Sequence, residues 1–505
     1  MNRLKMWSRL AAAVLLTTTF SACDDFGDLN TDPTQADQIN PNFKLTNIQV
    51  RLSGERYENW RTNLIYSSTM MQHLAALPTY WSGDKYLLNT GYSASMWERY
   101  YPNIAKNIED LLAQTCESPE DANFCAITRI TRVVMYHRLT DLYGDVPYSE
   151  AGKGVTEGIV MPVYDPQQEI YADMLSELQA AAEQLDGSQP SFGTGDLIYQ
   201  GDVERWRKFA YSMMLRLGMR LSEVDPTTAQ TWVERAIAGG VMESNDDLAA
   251  VPHDPNAWRN GVGEVFLADA NQHMSDTFVS WLQDNGDPRL TVYGAIPVEG
   301  APAVGLPNGY DATTIVDHPS WIPCVDGEPT PCGMAVYMDV NPAIVGVDDP
   351  MFFQTYAEVE FLLAEAAVRG WGASDANGHY DAGVQAAMEH LALYGDGALI
   401  SGDAIDAYLT DDDFDGADAD ALEQIANQYW AATFLNEYEA FANWRRTGFP
   451  TLTPVNYPGN VTGGTIPRRM IYSPGESVTN EANYNAAVAR QGPDALTTRV
   501  WWDVN

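Results

Sequence analysis

Positive charge is scarce in this chain. Its 505 residues hold 29 lysines and arginines against 69 aspartates and glutamates, a formal net charge of −40. Such a surface repels phosphate backbones, so nucleic-acid binding is excluded as a main activity. The acids are spread along the chain rather than gathered in one tail, as befits a solvated surface. Histidine is sparse too, with seven residues scattered through the sequence. There is no His-Glu-x-x-His, no Gly-x-Ser-x-Gly, no P-loop and no Rossmann glycine pattern, so the common catalytic signatures are missing. A glycosidase needs only two carboxylates about 5–10 Å apart. The abundance of acids therefore neither points to that chemistry nor disposes of it. The apolar stretch at 10–19 is too short to span a bilayer.

That stretch belongs to a targeting segment, residues 1–22. Arg3, Lys5 and Arg9 make its basic start, and small residues precede Cys23. Phe20-Ser21-Ala22-Cys23 resembles a lipobox, which would make Cys23 the lipidated first residue of the mature protein; an ordinary signal peptide with an incidental cysteine is the alternative. Residues 23–41 are polar and read as a tether. Asp24 and Asp25 resemble a surface-export signal or are plain linker composition. Four further cysteines remain, Cys116 and Cys125, and Cys324 and Cys332. Of three possible pairings, the two local ones are the economical choice. Paired Cys-x-x-Cys spacings for a metal are missing.

Helical periodicity begins near residue 43. Helices are expected near 43–76, 96–114, 124–142, 167–185, 203–223 and 228–238, and again near 355–369, 379–394 and 420–443. Val203, Trp206, Phe209, Met213 and Leu217 share one stripe. Helix pairs of this size suggest stacked αα-hairpins. Residues 241–350 change character: proline, glycine and aspartate rise, and loops with short strands are expected. The tail, 448–505, lacks clear periodicity. Residues 136–151 look like a helix ended by Gly144 and Pro147, and the connection of about twenty residues that follows is long enough to suggest a functional loop.

Within that stretch, Leu139-Thr-Asp-Leu-Tyr-Gly-Asp-Val-Pro-Tyr-Ser-Glu-Ala resembles a hallmark of the SusD/RagB family of surface nutrient-binding lipoproteins. The segments at 353–367 and 436–450, the Ile466-Pro-Arg-Arg-Met-Ile-Tyr-Ser-Pro-Gly-Glu run and the ending Val500-Trp-Trp-Asp extend the resemblance over essentially the whole chain. It implies a mostly α fold: a TPR-like αα-hairpin scaffold (42–240 and 351–447) with a loop-rich ligand-facing lobe (241–350) and an irregular C-terminal segment. Length alone would allow about three domains; the resemblance implies one, 42–505. It also implies a non-catalytic protein, anchored in the outer membrane by its N-terminal lipid and facing the cell exterior. That protein would bind a glycan and pass it to a SusC-like TonB-dependent barrel. Peptide binding on the same scaffold, as in RagB-like members, is the nearest alternative, and a secreted glycoside hydrolase is a more distant one.

Sugar rings stack on aromatic faces while amides and charges bond the hydroxyls. The loop at 77–89 offers Tyr80, Trp81, Tyr86 and Asn89 between two helical segments. In the lobe the candidates are Trp258 with Arg259, Tyr310 and Trp321, the last just before the Cys324–Cys332 pair. For each, core packing is the competing role; Trp206, Trp281 and Trp430, on helical stripes, are expected in the core, and Trp444, Trp501 and Trp502 in the scaffold. Finally, Asp411-x-Asp413-x-Asp415-Gly416 matches the first half of an EF-hand loop. Its twelfth position is Leu422, with Glu423 one residue late. A structural Ca²⁺ or a solvated acidic loop are the two readings.

Overall fold

The computed structural model describes residues 39–325, 331–412, 414–417 and 419–505. Long helices stack in sequence order. The apolar helix Ala122–Tyr143 packs on Gln167–Gln184, that on Val203–Arg220, and that on Pro226–Gly239. A second group joins Tyr356–Arg369 to Ala376–Glu389 and Ala421–Ala432. Val203–Arg220 touches Tyr356–Arg369 and so welds the two groups. The fold is mostly helical, and among the described residues strands occur only as short antiparallel pairs.

A buried polar network explains why residues 136–151 read so distinctly. Asp141 accepts from Trp502 Nε1 at 3.1 Å and from the Tyr171 hydroxyl. Glu439 accepts from Arg220 at 2.7 Å and from His137 Nε2 at 3.1 Å, and Arg216 pairs with Glu358. Buried charges of this kind must be paired, because a lone one carries its full desolvation cost. The network therefore fixes the C-terminal signature against the helix that carries Asp141. Gly144, at φ 82°, then turns the chain out of that helix. The long connection after it is clamped at its base, where Val146–Pro147 pairs with Tyr164–Asp165.

Several expected elements are cut differently. The helix expected at 43–76 stops at Ser53, where Gly54 takes φ 97°. It resumes as a wide π-type helix, Asn59–Ser68, and ends in the strand Leu74–Ala76. The 420–443 helix is two, Ala421–Ala432 and Glu437–Thr447. The tail contains the helix Glu481–Gln491, whose face is mostly exposed and so left no apolar stripe to read. Both local disulfides are present, Cys116–Cys125 and Cys324–Cys332. Cys23 lies outside the described residues. Among the described residues no helix is long and apolar enough to cross a membrane.

Candidate functional site

The lobe is stitched to the first helical layer by one strand pair: Leu74–Ala76 runs antiparallel to Gln272–Met274, with Ala75 opposite His273. Just before that strand stands the helix Gly261–Ala268, capped by the Asn260 side chain, which accepts from Val262 N and Gly263 N. Asp269 follows directly and is buried. Its Oδ2 accepts from Tyr80 OH at 2.8 Å, Trp60 Nε1 at 3.1 Å and Trp81 Nε1 at 3.2 Å. Its Oδ1 accepts from the backbone N of Asn271 at 3.1 Å and from Asn271 Nδ2 at 2.6 Å. Five donors thus converge on one carboxylate and tie three segments distant in sequence. Burial, together with the bond to Asp269, pushes the Tyr80 phenol up to about 12, so it stays protonated as a donor.

Asp269 stands in the wall of a cleft of about 1100 Å³. Phe266, Leu267 and Pro78 give it apolar surface on one side, and Leu267 is 72 % exposed. Val340, Val345 and Val347 line another part, with Pro297 and Met334 between. Polar groups are few and distinct: Asn271, Gln272, His273, Asp339 and Asp348, besides Asp269. His273 Nδ1 lies 2.9 Å from Asp339 Oδ1 but off the hydrogen-bonding direction. An apolar trough of this volume with a few amides and carboxylates suits a ligand with alternating apolar and hydroxylated faces. Both oxygens of Asp269 are engaged, by five donors in all.

The residues anticipated for ligand contact fall into three sets. Trp81 and Tyr86 are fully buried, which corrects their assignment as stacking platforms. Trp81 is held by Asp269, and Tyr86 takes the left-handed φ of 53° while its hydroxyl accepts from Val455 N. Asn89 is a helix cap, accepting from Tyr92 N at 3.1 Å. Their loop is a plug rather than a platform, because Lys85, itself buried, donates to Ala76 O at 2.6 Å and to Asp84, which also accepts from Asn308. Tyr80, half-buried, bonds both Asp269 and Asn271 of the cleft. Tyr310 and Trp321 pack in a small cluster with Leu77 and Met334, two residues of the cleft wall. Trp258 and Arg259 are exposed on a separate turn, where Arg259 Nε donates to Pro255 O. As for the scaffold tryptophans, Trp206, Trp430, Trp444 and Trp502 are buried, while Trp281 and Trp501 are partly so.

Phe266, Leu267, Asp269 and Asn271 escaped the sequence reading. A search for tryptophan and tyrosine beside amides passes over Phe266-Leu-Ala-Asp-Ala-Asn. The usable signal is Leu267, whose positions three and four residues away, Gly263, Glu264, Ala270 and Asn271, give it no large apolar partner on a helical stripe.

The acidic loop at 411–423 is described except at residues 413 and 418. Asp411 closes the helix Gly402–Asp411, and Tyr380 OH donates to Asp412 Oδ2 at 2.9 Å. Phe414 stacks on Tyr380 with ring centres 3.8 Å apart, and Asp415 accepts from Ala417 N. Asp413 lies outside the described residues. Among the described residues no group of three or more His, Cys, Asp or Glu side chains is placed to hold a metal.

Comparison with known proteins agrees with this architecture. Among curated proteins no match was found. A solved chitin-binding protein shares 36% identity with a TM-score of 0.84, covering 92% of this chain and 100% of its own. A chitin-binding SusD homologue from Flavobacterium johnsoniae shares 26% identity with a TM-score of 0.77, covering 92% and 98%. A SusD homologue from Bacteroides vulgatus shares 25% identity with a TM-score of 0.76, covering 92% and 97%. Residues 33–473 match the SusD-like family model described as starch-binding and associating with the outer membrane, and the chain therefore belongs to the SusD-like family.

Proposed function

We propose that this protein captures an oligosaccharide of the chitin class in the Asp269 cleft and delivers it to a SusC-like TonB-dependent barrel in the outer membrane. The cleft itself carries the reading. Its apolar walls suit sugar C–H faces and acetamido methyls, and Asn271, Gln272, Asp339 and Asp348 offer partners for hydroxyls and amide N–H groups. The names of two similar structures, both called chitin-binding, support the same ligand class. No catalysis is part of this reading. Lipidation at Cys23 would hold the protein at the outer membrane with the cleft outside the cell.

Trp60 and Trp81 both donate to Asp269, so a ligand that disturbs Asp269 alters intrinsic tryptophan fluorescence. Titration with chito-oligosaccharides should give a saturable response in the micromolar to millimolar range. Asn271→Ala together with Asp339→Ala should weaken it about tenfold or more. Saturation by peptides alone would replace this reading with peptide capture. Silence toward chito-oligosaccharides, starch fragments and peptides alike would sink the cleft as the capture site.

A further inference from the structure

A second pocket, of about 400 Å³, opens where the chain leaves its first helix. Arg56, Arg61 and Arg99 wall it, with Tyr57 and Trp60 between them. Arg61 and Arg99 both lie over the Tyr57 ring, at 3.5 and 4.4 Å from its centre, and Arg56 lies over Trp60 at 5.1 Å. Ring contacts steady guanidinium groups without neutralising them. Two like charges on one ring repel each other, and an anion beside them would relieve that repulsion.

The arrangement runs against the charge of the rest of the chain. Most cations elsewhere are taken up by carboxylates, as Arg129 by Glu177, Arg132 by Glu109, Lys208 by Glu243 and Arg369 by Glu223; Arg138, Arg235, Arg259 and Arg445 rest on neutral groups, singly rather than in a cluster. Among the described residues none of Arg56, Arg61 and Arg99 makes an ion pair, in a protein with 69 acids to choose from. The nearby acids make other contacts. Glu55 in the wall is taken by Arg51 at 2.8 Å, and Glu98 Oε2 accepts from Tyr57 OH at 3.0 Å. Glu264 is the other carboxylate of the wall.

We propose that this pocket binds an acidic saccharide unit, one carrying a carboxylate or sulfate, at a site separate from the Asp269 cleft. Guanidinium forks match planar and tetrahedral oxyanions with paired hydrogen bonds. The Tyr57 ring is occupied by Arg61 and Arg99, so the aromatic surface that a sugar ring uses and a bare acidic peptide does not is that of Trp60. The pocket is at the small end of ligand sites, sized for one or two sugar rings.

Calorimetric titration of the purified protein tests this. The probes are oligogalacturonate, sulfated chondroitin oligosaccharide, neutral chito-oligosaccharide and poly-aspartate. Both acidic saccharides should bind saturably and lose about tenfold or more in affinity in Arg61→Gln/Arg99→Gln. Their binding should also weaken as sodium chloride is raised. Chito-oligosaccharide binding should match wild type in the same variant. If circular dichroism shows that the double variant is unfolded, Arg56→Glu, at an exposed position, makes the comparison. Absence of saturable binding by either acidic saccharide overturns the proposal. So does binding of poly-aspartate alone, or equal loss of neutral and acidic binding in the variants. Failure of the Asp269 cleft reading would appear separately, as wild-type silence toward the neutral probe.

Discussion

At the scale of single residues, Glu365 is the best place to test how this fold handles buried charge. Its carboxylate receives Arg446 through two bonds, at 2.6 and 2.7 Å, and Arg369 Nε at 2.8 Å. Burial alone would raise its pKa, but Arg446 and Arg369 outweigh that and hold it down at about 2. The unfolded carboxyl titrates near its ordinary value, so the unfolded chain takes up this proton first as pH falls. The stability that Glu365 contributes is therefore complete above about pH 5 and is lost between there and about pH 2. Glu365→Gln should flatten this part of the acid limb of a urea-midpoint profile. At pH 7 it should also cost roughly 3–5 kcal/mol, because it leaves Arg446 buried without its counter-charge. An unchanged midpoint at pH 7 would mean that the pair contributes nothing net. Removing the Asp269 carboxylate would orphan five neutral donors together, which explains why the cleft is organised around a residue that is not itself aromatic.

At the scale of elements, the plug between Leu77 and Tyr86 matters most. Gly83 packs so closely on the Asn59–Ser68 helix that an added Cβ would collide with Ile65 O and Tyr66 Cα. Both are backbone atoms and cannot rotate away. Gly83→Ala should destabilise the protein by roughly 1–3 kcal/mol, read as a lower denaturant midpoint. It should also weaken chito-oligosaccharide binding by loosening Tyr80 and Trp81 on Asp269. A variant as stable as wild type would show that the plug is softer than its packing implies. This element also marks the limit of what the sequence made legible. Long helices such as Ala122–Tyr143 and Val203–Arg220 declared themselves by their apolar spacing, and the family resemblance covered how they assemble. Pro78 and Gly83 announced a break in the helix. They could not announce burial, because the groups that cover Trp81 and Lys85 come from residues 269 and 76, and such pairings leave no local pattern. The helix expected at 43–76 failed for a related reason. Its apolar residues continue, but the positive φ at Gly54 and Gln72 and the strand pairing of Ala75 with His273 interrupt it.

At the scale of the whole molecule, the excess of acid is a surface property. The deeply buried Arg216, Arg220, Arg289 and Arg446 each sit on a buried carboxylate, while Arg445 and Arg138 donate to backbone carbonyls, so buried charge is largely matched among the described residues and most of their acid excess lies at the surface. Like charges spread over a surface repel one another and favour the expanded chain, and salt screens that repulsion over about 10 Å at 0.1 M. Raising sodium chloride from about 0.01 to about 0.15 M should therefore lift the thermal midpoint by roughly a few degrees, with most of the rise at the low end. A flat or falling midpoint would mean that surface repulsion is not a material cost to this fold. Calcium and magnesium chlorides at matched ionic strength then separate screening from ligation. Equal midpoints in the two assign the rise to screening of the diffuse charge. A higher midpoint in calcium alone, abolished by Asp415→Ala, would instead assign part of it to a bound ion in the acidic loop at 411–423.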